Sequence, residues 1–267
     1  MNINKDTKLC VSIAEKPGNF GAIIFNFAFN RLNIDFVYKP LMVKSDNLAS
    51  AISGIRSLGI RGCGVSMPHK TAVMKYLDEI DHLALNIGAV NTIVNNDGIL
   101  VGYNTDYLGI KKAIAPELNT HKSLLIIGAG GFARAALIAL KEFNLEIYLS
   151  SRDQLIGSSL SKEFGVNFLE FSKKDSFSAD ILIDATPVGM SGIDEMIITN
   201  GALSNFRMIV DAVVGETKLV KEAESMSLKV IRGNVMAINQ AIEQFYLYTG
   251  VELPKELAEE AIVNLII

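Results

Sequence analysis

Lys70 stands at a position that local electrostatics disfavour. It ends the run Gly62-Cys-Gly-Val-Ser-Met-Pro-His-Lys70, whose residues predict a strand end, a tight turn and the start of a helix. Pro68 suits a first helical turn, where its missing N–H is not needed. Because a helix N-terminus carries positive partial charge, a lysine there gains nothing from the helix. We interpret Lys70 as a candidate for chemistry, and a solvated surface charge is the ordinary alternative.

Two polar segments, 88–92 and 102–106, lie on the arms of a predicted hairpin. Each presents short polar side chains among apolar neighbours. The dipeptide Asp97-Gly98 between them is typical of a tight hairpin turn. Short polar side chains also cap helices, and Asn104 or Thr105 could cap the helix that follows. A polar site and a capping role therefore both stay open for these segments.

A glycine-rich turn in the second half of the chain has the pattern of a dinucleotide site. The predicted strand Ser123–Ile127 is followed by Gly-Ala-Gly-Gly-Phe-Ala and then by a predicted helix to about Phe143. Gly128 permits the tight turn, Gly130 lets a pyrophosphate approach the backbone, and Ala133 allows helix and strand to pack closely. The start of the helix offers N–H groups to phosphates. The motif indicates a dinucleotide site because it lies between a predicted strand and a predicted helix.

The next predicted strand, Glu146–Ser150, ends in Ser151-Arg152-Asp153. In dinucleotide sites an acid at this point binds the ribose hydroxyls, whereas an arginine accommodates a 2′-phosphate. Arg152 therefore favours NADP over NAD. Asp153 leaves the NAD alternative open, and its own alternative role is to cap the next helix.

Strands and helices alternate along most of the chain, which predicts an α/β fold with parallel sheets. Thr186 begins a Thr-Pro-Val-Gly-Met run directly after a predicted strand, where open α/β sheets bind ligands. Polar Asn19 and Ser45 are predicted to cap the first two helices, and Gly59 to end the second. The predicted strands are 9–13, 35–41, 61–65, 90–94, 99–103, 123–127, 146–150, 180–185, 208–213 and 229–231.

Composition excludes several classes of function. The 267 residues are 49% hydrophobic and 20% charged, with a net charge of −4, which gives no basic footprint for nucleic acid. No apolar run approaches a membrane span, and the polar first residues predict no signal peptide. Two distant cysteines predict reduced thiols in a cytoplasmic protein. The three histidines form no metal-binding pattern, so no metal is expected.

Taken together, the motifs resemble those of the shikimate dehydrogenase family along nearly the whole chain. The resemblance depends on five segments in the right order and at similar spacing. They are Val65–Lys70, Gly88–Thr92, Gly102–Asp106, Gly128–Gly131 and the Gly233-x-x-Met-x-x-x-Gln240 run.

The resemblance implies an α/β fold of two domains. Residues 1–106 with 238–267 would form a substrate-binding, catalytic domain, and residues 107–237 a Rossmann NADP-binding domain. The C-terminal helices would pack back on the first domain. The implied activity is an NADP-dependent oxidoreductase acting on CH–OH, interconverting shikimate and 3-dehydroshikimate in aromatic amino-acid (chorismate) biosynthesis.

The resemblance also implies residue roles. Lys70 and Asp106 would be the catalytic pair, in which a tuned lysine takes the hydroxyl proton and a carboxylate holds it in place. The implied substrate contacts are Asn19, Gly21, Ser66, Asn91 and Gln240. The implied cofactor contacts are Gly128, Ala129, Gly130, Gly131, Phe132, Ser151, Arg152, Thr186, Ala212 and Gly233.

The chain departs from the family where the substrate carboxylate is held. The family has a Ser-x-Ser pair at the position of Asn19-Phe20-Gly21, and a tyrosine at the position of Val214. One donor remains of three, and each lost hydrogen bond to a charged group costs about 1.5–3 kcal/mol. We therefore expect reduced use of shikimate. The same segments resemble the shikimate dehydrogenase-like subgroup, which keeps the catalytic pair and the NADP site.

Two alternatives accompany the leading hypothesis. One is a dehydrogenase that prefers quinate or another cyclic hydroxy acid. The other, of a different class, is a non-catalytic NADP-binding regulatory protein. In each case we expect the protein to bind a small molecule and neither nucleic acid nor a membrane. Whether it forms a homodimer is left open.

Overall fold

Alternating helix and strand patterns fold into two separate sheets in the computed structural model, which describes residues 3–190 and 195–263. The chain divides into a first unit, Met1–Thr105 with Ile238–Ile267, and a second unit, Asp106–Ala237. The predicted mixed α/β architecture is confirmed. Within the described ranges, no helix has the length and apolar character needed to cross a bilayer.

The elements follow the predicted order. The strands are β1 (Lys8–Ala14), β2 (Phe36–Met42), β3 (Gly62–Val65), β4 (Glu79–Ile80), β5 (Thr92–Asn96), β6 (Ile99–Tyr103), β7 (Ser123–Ile127), β8 (Glu146–Ser150), β9 (Asn167–Phe168), β10 (Ile181–Asp184), β11 (Met208–Asp211) and β12 (Lys229–Ile231). The helices are α1 (Phe20–Arg31), α2 (Leu48–Ser57), α3 (His82–Ile87), α4 (Asp106–Ile114), α5 (Gly131–Lys141), α6 (Gln154–Phe164), α7 (Lys218–Ser225), α8 (Gly233–Thr249) and α9 (Lys255–Val263).

The sheet of the first unit is mixed, in the order β2-β1-β3-β5-β6-β4. Its first three strands are parallel, while β5 runs antiparallel to both β3 and β6. The predicted hairpin is confirmed: Asn96 pairs with Ile99, and Asp97 and Gly98 have φ of 51° and 95°. Positive φ at both turn residues is what the two-residue turn requires. The hairpin therefore places segments 88–92 and 102–106 side by side.

Aromatic packing fills one face of the first sheet. Phe25 and Phe29 of α1 are fully buried against Phe245 and Tyr248 of α8, with ring centroids 5.3 to 6.2 Å apart in three of the pairs. Rings at such separations add to the stabilisation from apolar burial. Because α1 is apolar on more than one face, it is well buried, as its sequence predicts.

The second sheet is entirely parallel, in the order β12-β11-β10-β7-β8-β9. Its order reverses at β7, because the following strand β8 lies on one side and β10 on the other. Open sheets of this kind bind ligands at the carboxyl ends of the strands beside such a reversal. The strand order is that of the predicted Rossmann fold.

Three local predictions were wrong. Residues 66–71 form turns with a cis Met67–Pro68 peptide, and only a 3₁₀ helix, Ala72–Tyr76, follows. Lys70 therefore precedes a short 3₁₀ helix and does not begin an α-helix, because helical hydrogen bonding starts only at Val73 N–H, bonded to the His69 carbonyl.

The other two errors concern helix caps. Asn19 makes no side-chain cap bond to α1, since its own backbone is already helical. Ser45 begins a 3₁₀ turn before α2 and makes no side-chain cap bond either. Gly59, by contrast, has the predicted left-handed conformation after α2, with φ of 63°.

Candidate active site

Asn91 is the centre of a buried polar cluster in the first unit. Its Oδ1 accepts hydrogen bonds from the Thr105 N–H at 2.8 Å and from the Thr92 hydroxyl at 2.8 Å. Its Nδ2 donates to Thr105 Oγ1 at 3.1 Å. Gln244 of α8 donates to Thr92 Oγ1 at 2.7 Å and to the Asn91 carbonyl at 3.2 Å. We call Asn91, Thr92, Thr105 and Gln244 the Asn91 cluster, and each is at most 5% exposed.

Lys70 and Ser66 are tied by their backbones to strands beside this cluster. The carbonyl of Lys70 accepts from the Val90 N–H at 2.8 Å, and the N–H of Ser66 donates to the Ile13 carbonyl at 2.9 Å. Both side chains are half-buried. The sequence-predicted residues Ser66, Lys70 and Asn91 thus lie on neighbouring segments of one unit.

Asp106 is the first residue of α4 and is counted with the second unit. Only 6% of its surface is exposed. Thr105, its neighbour in the chain, is fixed by Asn91. Asn104 donates to the Ala89 carbonyl at 2.8 Å and Thr105 bonds to Asn91. Thr105 directly precedes α4, so its capping role stays a prediction. These residues connect the two arms of the hairpin.

The predicted substrate residue Gln240 lies one turn before Gln244 in α8 and is half-buried. It is Gln244 whose amide reaches the Asn91 segment. Residues four apart share a helix face, so the two amides project from the same side of α8.

Gly21, one of the predicted substrate-carboxylate positions, lies against a buried tyrosine. Asn19 is exposed ahead of α1, and Gly21 lies in the first turn of that helix. A Cβ on Gly21 would lie 3.3 Å from the hydroxyl oxygen of Tyr38, and one on Gly64 would lie 2.9 Å from the same atom. Burial raises the pKa of Tyr38 well above its ordinary value, although a hydrogen bond with Ser12 opposes this. Tyr38 therefore stays neutral and fills the space beside Gly21.

In the second unit, the glycine-rich turn leaves room for a ligand. Gly128 has φ of 127°, and a Cβ there would lie 2.8 Å from the Ala185 carbonyl oxygen, so only glycine fits. Among the described residues, no atom lies within 4 Å of the position that a Cβ on Gly130 would take. Ala129 completes the turn, and Gly131 and Phe132 begin α5. The open space at a helix N-terminus fits the pyrophosphate of the predicted dinucleotide.

Arg152 and Asp153 have different surroundings after β8. The carboxylate of Asp153 accepts from the Ile156 N–H at 3.0 Å and caps α6, as its alternative role predicted. Arg152 is exposed, and Ser151 beside it is buried. Both residues are exposed, but the Asp153 carboxylate is engaged by the start of α6.

Three further predicted residues lie at the same end of the second sheet. Thr186 follows β10 and Ala212 follows β11, and Ala212 N–H donates to the Asp184 carbonyl at 3.0 Å. A side chain at Gly233 would overlap the carbonyl of Val213. We call the ends of β7, β8, β10 and β11, with the turns that follow them, the carboxyl edge. The strand register aligns Ser150, Ile127, Asp184 and Asp211 along it.

The sequence interpretation missed several residues of these clusters. Thr105 is within a segment that it had singled out, and Gln244 follows Gln240 by one helical turn, so position alone could have indicated both. Asp184 and Asp211 each end an apolar strand, which is a signal for a ligand-binding edge. Tyr38 gave no signal, because its hydroxyl reaches Gly21 only through the packing of α1 on β2, which the bonds between Asn26 and the Tyr38 backbone hold in place.

Comparisons with known proteins find relatives that match nearly the whole chain. Residues 20–93 match the family model described as the shikimate dehydrogenase substrate binding domain. A shikimate dehydrogenase-like protein of Haemophilus influenzae is 37% identical over 97% of each chain. A shikimate dehydrogenase (NADP(+)) of Methanocaldococcus jannaschii is 38% identical over 98% of each chain.

A solved structure extends the similarity to three dimensions. A shikimate dehydrogenase in complex with NADP+ superposes with a TM-score of 0.89 at 36% identity, covering 100% of this chain and 98% of that one. Identity at this level over full length, with the same motifs in the same order, places the protein by descent. The chain belongs to the shikimate dehydrogenase family.

Proposed function

We propose that this protein is an NADP-dependent dehydrogenase that interconverts a cyclic hydroxy acid of the shikimate type and its 3-dehydro ketone. The proposal rests on two hydrogen bonds, which anchor the segments of Lys70 and Thr105 to the consecutive residues Val90 and Asn91. The backbone of Lys70 bonds to Val90, and the backbone of Thr105 bonds to Asn91. Lys70 and the residue before Asp106 are thereby held against one strand end. The relatives that match the whole chain are named for this activity.

In the proposed mechanism, NADP+ supplies the hydride acceptor. Oxidation of the hydroxyl also releases a proton, and the amine of Lys70 takes it as general base. The carboxylate of Asp106 orients that amine and stabilises the ammonium ion that forms. Asn91 holds the adjoining segment in place through Thr105 and presents its amide beside the site. In the reverse direction Lys70 returns the proton to the ketone oxygen.

Arg152 supports NADP as the cofactor. A guanidinium at the end of the second strand of a Rossmann unit can bind a 2′-phosphate with two parallel hydrogen bonds. The acid that would instead favour NAD, Asp153, is engaged as the cap of α6. The proposed division of labour assigns substrate binding and catalysis to residues 1–106 and 238–267, and cofactor binding to residues 107–237.

The surroundings of Gly21 favour a second candidate substrate within the same chemistry. Gly21 offers no hydroxyl, Tyr38 fills the space beside it, and Val214 is 40% exposed where the family has a tyrosine. We infer that shikimate is used poorly, and quinate or another cyclic hydroxy acid stays the alternative substrate. This would place the protein in the shikimate dehydrogenase-like subgroup, the name that the Haemophilus relative carries.

The test is Lys70→Ala, assayed by NADPH absorbance with shikimate and with quinate. Loss of the general base should lower kcat by about 10²–10⁴-fold, while NADPH still binds. Lys75→Ala, which removes an exposed lysine five positions on, is the matched control and should keep full activity. Retained turnover in Lys70→Ala would contradict the proposed base.

The non-catalytic alternative has its own outcome. If the wild-type protein binds NADPH yet transfers no hydride to or from any cyclic hydroxy acid tested, a regulatory role replaces the enzymatic one. The homodimer and the cytoplasmic location stay predictions, and size-exclusion chromatography and cell fractionation test them.

A further inference from the structure

Two buried acids at the carboxyl edge have no part in the proposed proton transfer. Asp184 ends β10 and Asp211 ends β11, in register with each other on adjacent parallel strands. Asp184 is 1% exposed and Asp211 is 0% exposed. The structure describes no ion pair for either carboxyl in the ranges that it covers. Buried charges without such a partner are costly, so their retention at this edge calls for a reason.

Each carboxylate binds the loop that follows its own strand. Asp184 Oδ1 accepts from the Thr186 N–H at 2.8 Å, and Asp211 Oδ1 accepts from the Val213 N–H at 2.8 Å. The second oxygen of Asp211 accepts from the Thr217 hydroxyl at 2.5 Å. Carboxylates that bond two residues ahead fix the backbone of a turn. The pair therefore sets the conformation of both loops.

The two loops also interlock. Thr217 Oγ1 accepts from the Val220 N–H at 3.2 Å and so caps α7. A Cβ on Gly189 would lie 3.0 Å from Thr217 Cγ2, so the loop after β10 packs directly on the threonine that Asp211 holds. Gly215 N–H donates to Asn234 Oδ1 at 2.9 Å at the start of α8. A change at Thr217 is therefore transmitted to both loops.

These loops carry Thr186 and Ala212, and Val213 lies against Gly233. All three of Thr186, Ala212 and Gly233 are positions that the family resemblance assigns to the cofactor. In the proposed function Arg152, after β8, takes the 2′-phosphate, and the turn at Gly130, after β7, fits the pyrophosphate. Because β10 and β11 come next along the sheet, the nicotinamide end would lie at the loops that follow them.

We propose that Asp184 and Asp211 are positioning residues, which hold loops 185–190 and 212–217 in the shape that receives the nicotinamide end of the cofactor. This inference rests on the proposed function, because it takes the carboxyl edge as the NADP site. Burial supports it, since it raises the pKa of Asp184 to about 7, with the carboxyl of Asp211 adding to the rise and the bonds from Thr186 opposing it. The pKa of Asp211 is raised too, chiefly by burial.

The experiment compares two probes in calorimetric titrations. NADPH engages both ends of the site, whereas adenosine 2′,5′-bisphosphate lacks the nicotinamide and engages only the Arg152 end. Thr217→Val keeps the shape of the side chain and removes both its bond to Asp211 and its cap of α7. We expect it to weaken NADPH about tenfold, the effect of one lost charged hydrogen bond. Binding of adenosine 2′,5′-bisphosphate should not change.

Controls separate positioning from general destabilisation. Thr217→Ser keeps the hydroxyl and should restore NADPH affinity. Thr249→Val makes the same substitution at the end of α8, where the hydroxyl bonds to the Phe245 carbonyl, and should leave both probes unaffected. Asp211→Asn is the second variant should Thr217→Val not fold, because it keeps an acceptor for Val213 and replaces the oxygen that faces Thr217.

The outcomes are distinct. Equal losses for both probes, or no loss for either, would overturn the positioning role while leaving the NADP site in place. A wild-type protein that binds neither probe would overturn the proposed cofactor, and the inference with it.

Discussion

The Asn91 cluster is built mainly from polar side chains, whereas the carboxyl edge is built mainly from backbone groups. In the Asn91 cluster, amide and hydroxyl side chains bond to one another and to backbone groups brought from three distant segments. At the carboxyl edge, glycines and backbone groups border the proposed cofactor site. The buried side chains of Asp184 and Asp211 accept hydrogen bonds from the loops that follow their strands.

This difference decides how each region responds to substitution. A cluster in which one amide satisfies several buried partners loses all of those bonds when the amide is removed. An edge built on backbone geometry tolerates a change in an exposed side chain and loses only that side chain's own contact. The first region should therefore couple stability to activity, whereas the second should keep them separate.

The largest expected effect is that of Asn91→Ala. It leaves the Thr105 N–H and the Thr92 hydroxyl without their shared acceptor. Unpaired buried groups cost about 1–3 kcal/mol each, so the free energy of unfolding should fall by about 3 kcal/mol. Urea denaturation measures it. Asn96→Ala, which removes an exposed acceptor of Arg61, is the control and should cost far less. Similar losses in both variants would mean that the Asn91 cluster stabilises the fold no more than an exposed hydrogen bond does.

Arg152→Ala should act on binding alone. Loss of a charged hydrogen-bonding pair to the 2′-phosphate should raise KM for NADP about tenfold or more, with KM for NAD unchanged. Thermal unfolding without cofactor should match the wild type. Arg207→Ala, another exposed arginine of the second unit, is the control. An equal change with NAD and NADP would contradict a role in reading the 2′-phosphate.

Gly21→Ser tests the substrate-carboxylate side of the first unit. The added hydroxyl should lower KM for shikimate by about tenfold, provided that Tyr38 yields a few tenths of an ångström to the new Cβ. Gly21→Ala introduces the same crowding without the hydroxyl, so steady-state kinetics of the two variants isolate the donor. Equal KM values for serine and alanine would refute the anchor hypothesis.

Asp184→Asn should remove a pH dependence of stability that the wild type shows. The folded-state pKa of Asp184 is raised from 3.8 to about 7, so the folded protein holds a proton that the unfolded chain releases. Stability from this group is complete below about pH 4 and is lost as pH rises toward and through 7. The wild-type Tm should fall by a few degrees relative to Asp184→Asn between pH 5 and pH 8. Parallel Tm profiles for the two proteins would contradict the raised pKa.

Local patterns predicted much of the fold. The alternation of strands and helices, the Asp97-Gly98 turn and the glycine-rich turn before α5 all depend on residues within about ten positions of one another. These turns can be predicted from sequence because their backbone conformations require particular residues. Gly128, for example, has a positive φ that favours glycine. The wrong predictions are a helix at Lys70 and caps at Asn19 and Ser45. Asn19 already has helical backbone angles and Ser45 already begins a 3₁₀ turn, while Lys70 lies in turns ahead of a 3₁₀ helix.

The amino-acid sequence by itself determined the α/β class and the family motifs, and it predicted where the substrate site would depart from the family. Only the tertiary structure decided what those positions contact. The packing of α1 on β2 brings Gly21 against Tyr38, α8 brings Gln244 to Thr92, and adjacent strand ends bring Asp184 beside Asp211. The physical reason is distance along the chain. These partners are up to 152 residues apart, and no local propensity encodes contacts that form only when the sheets assemble.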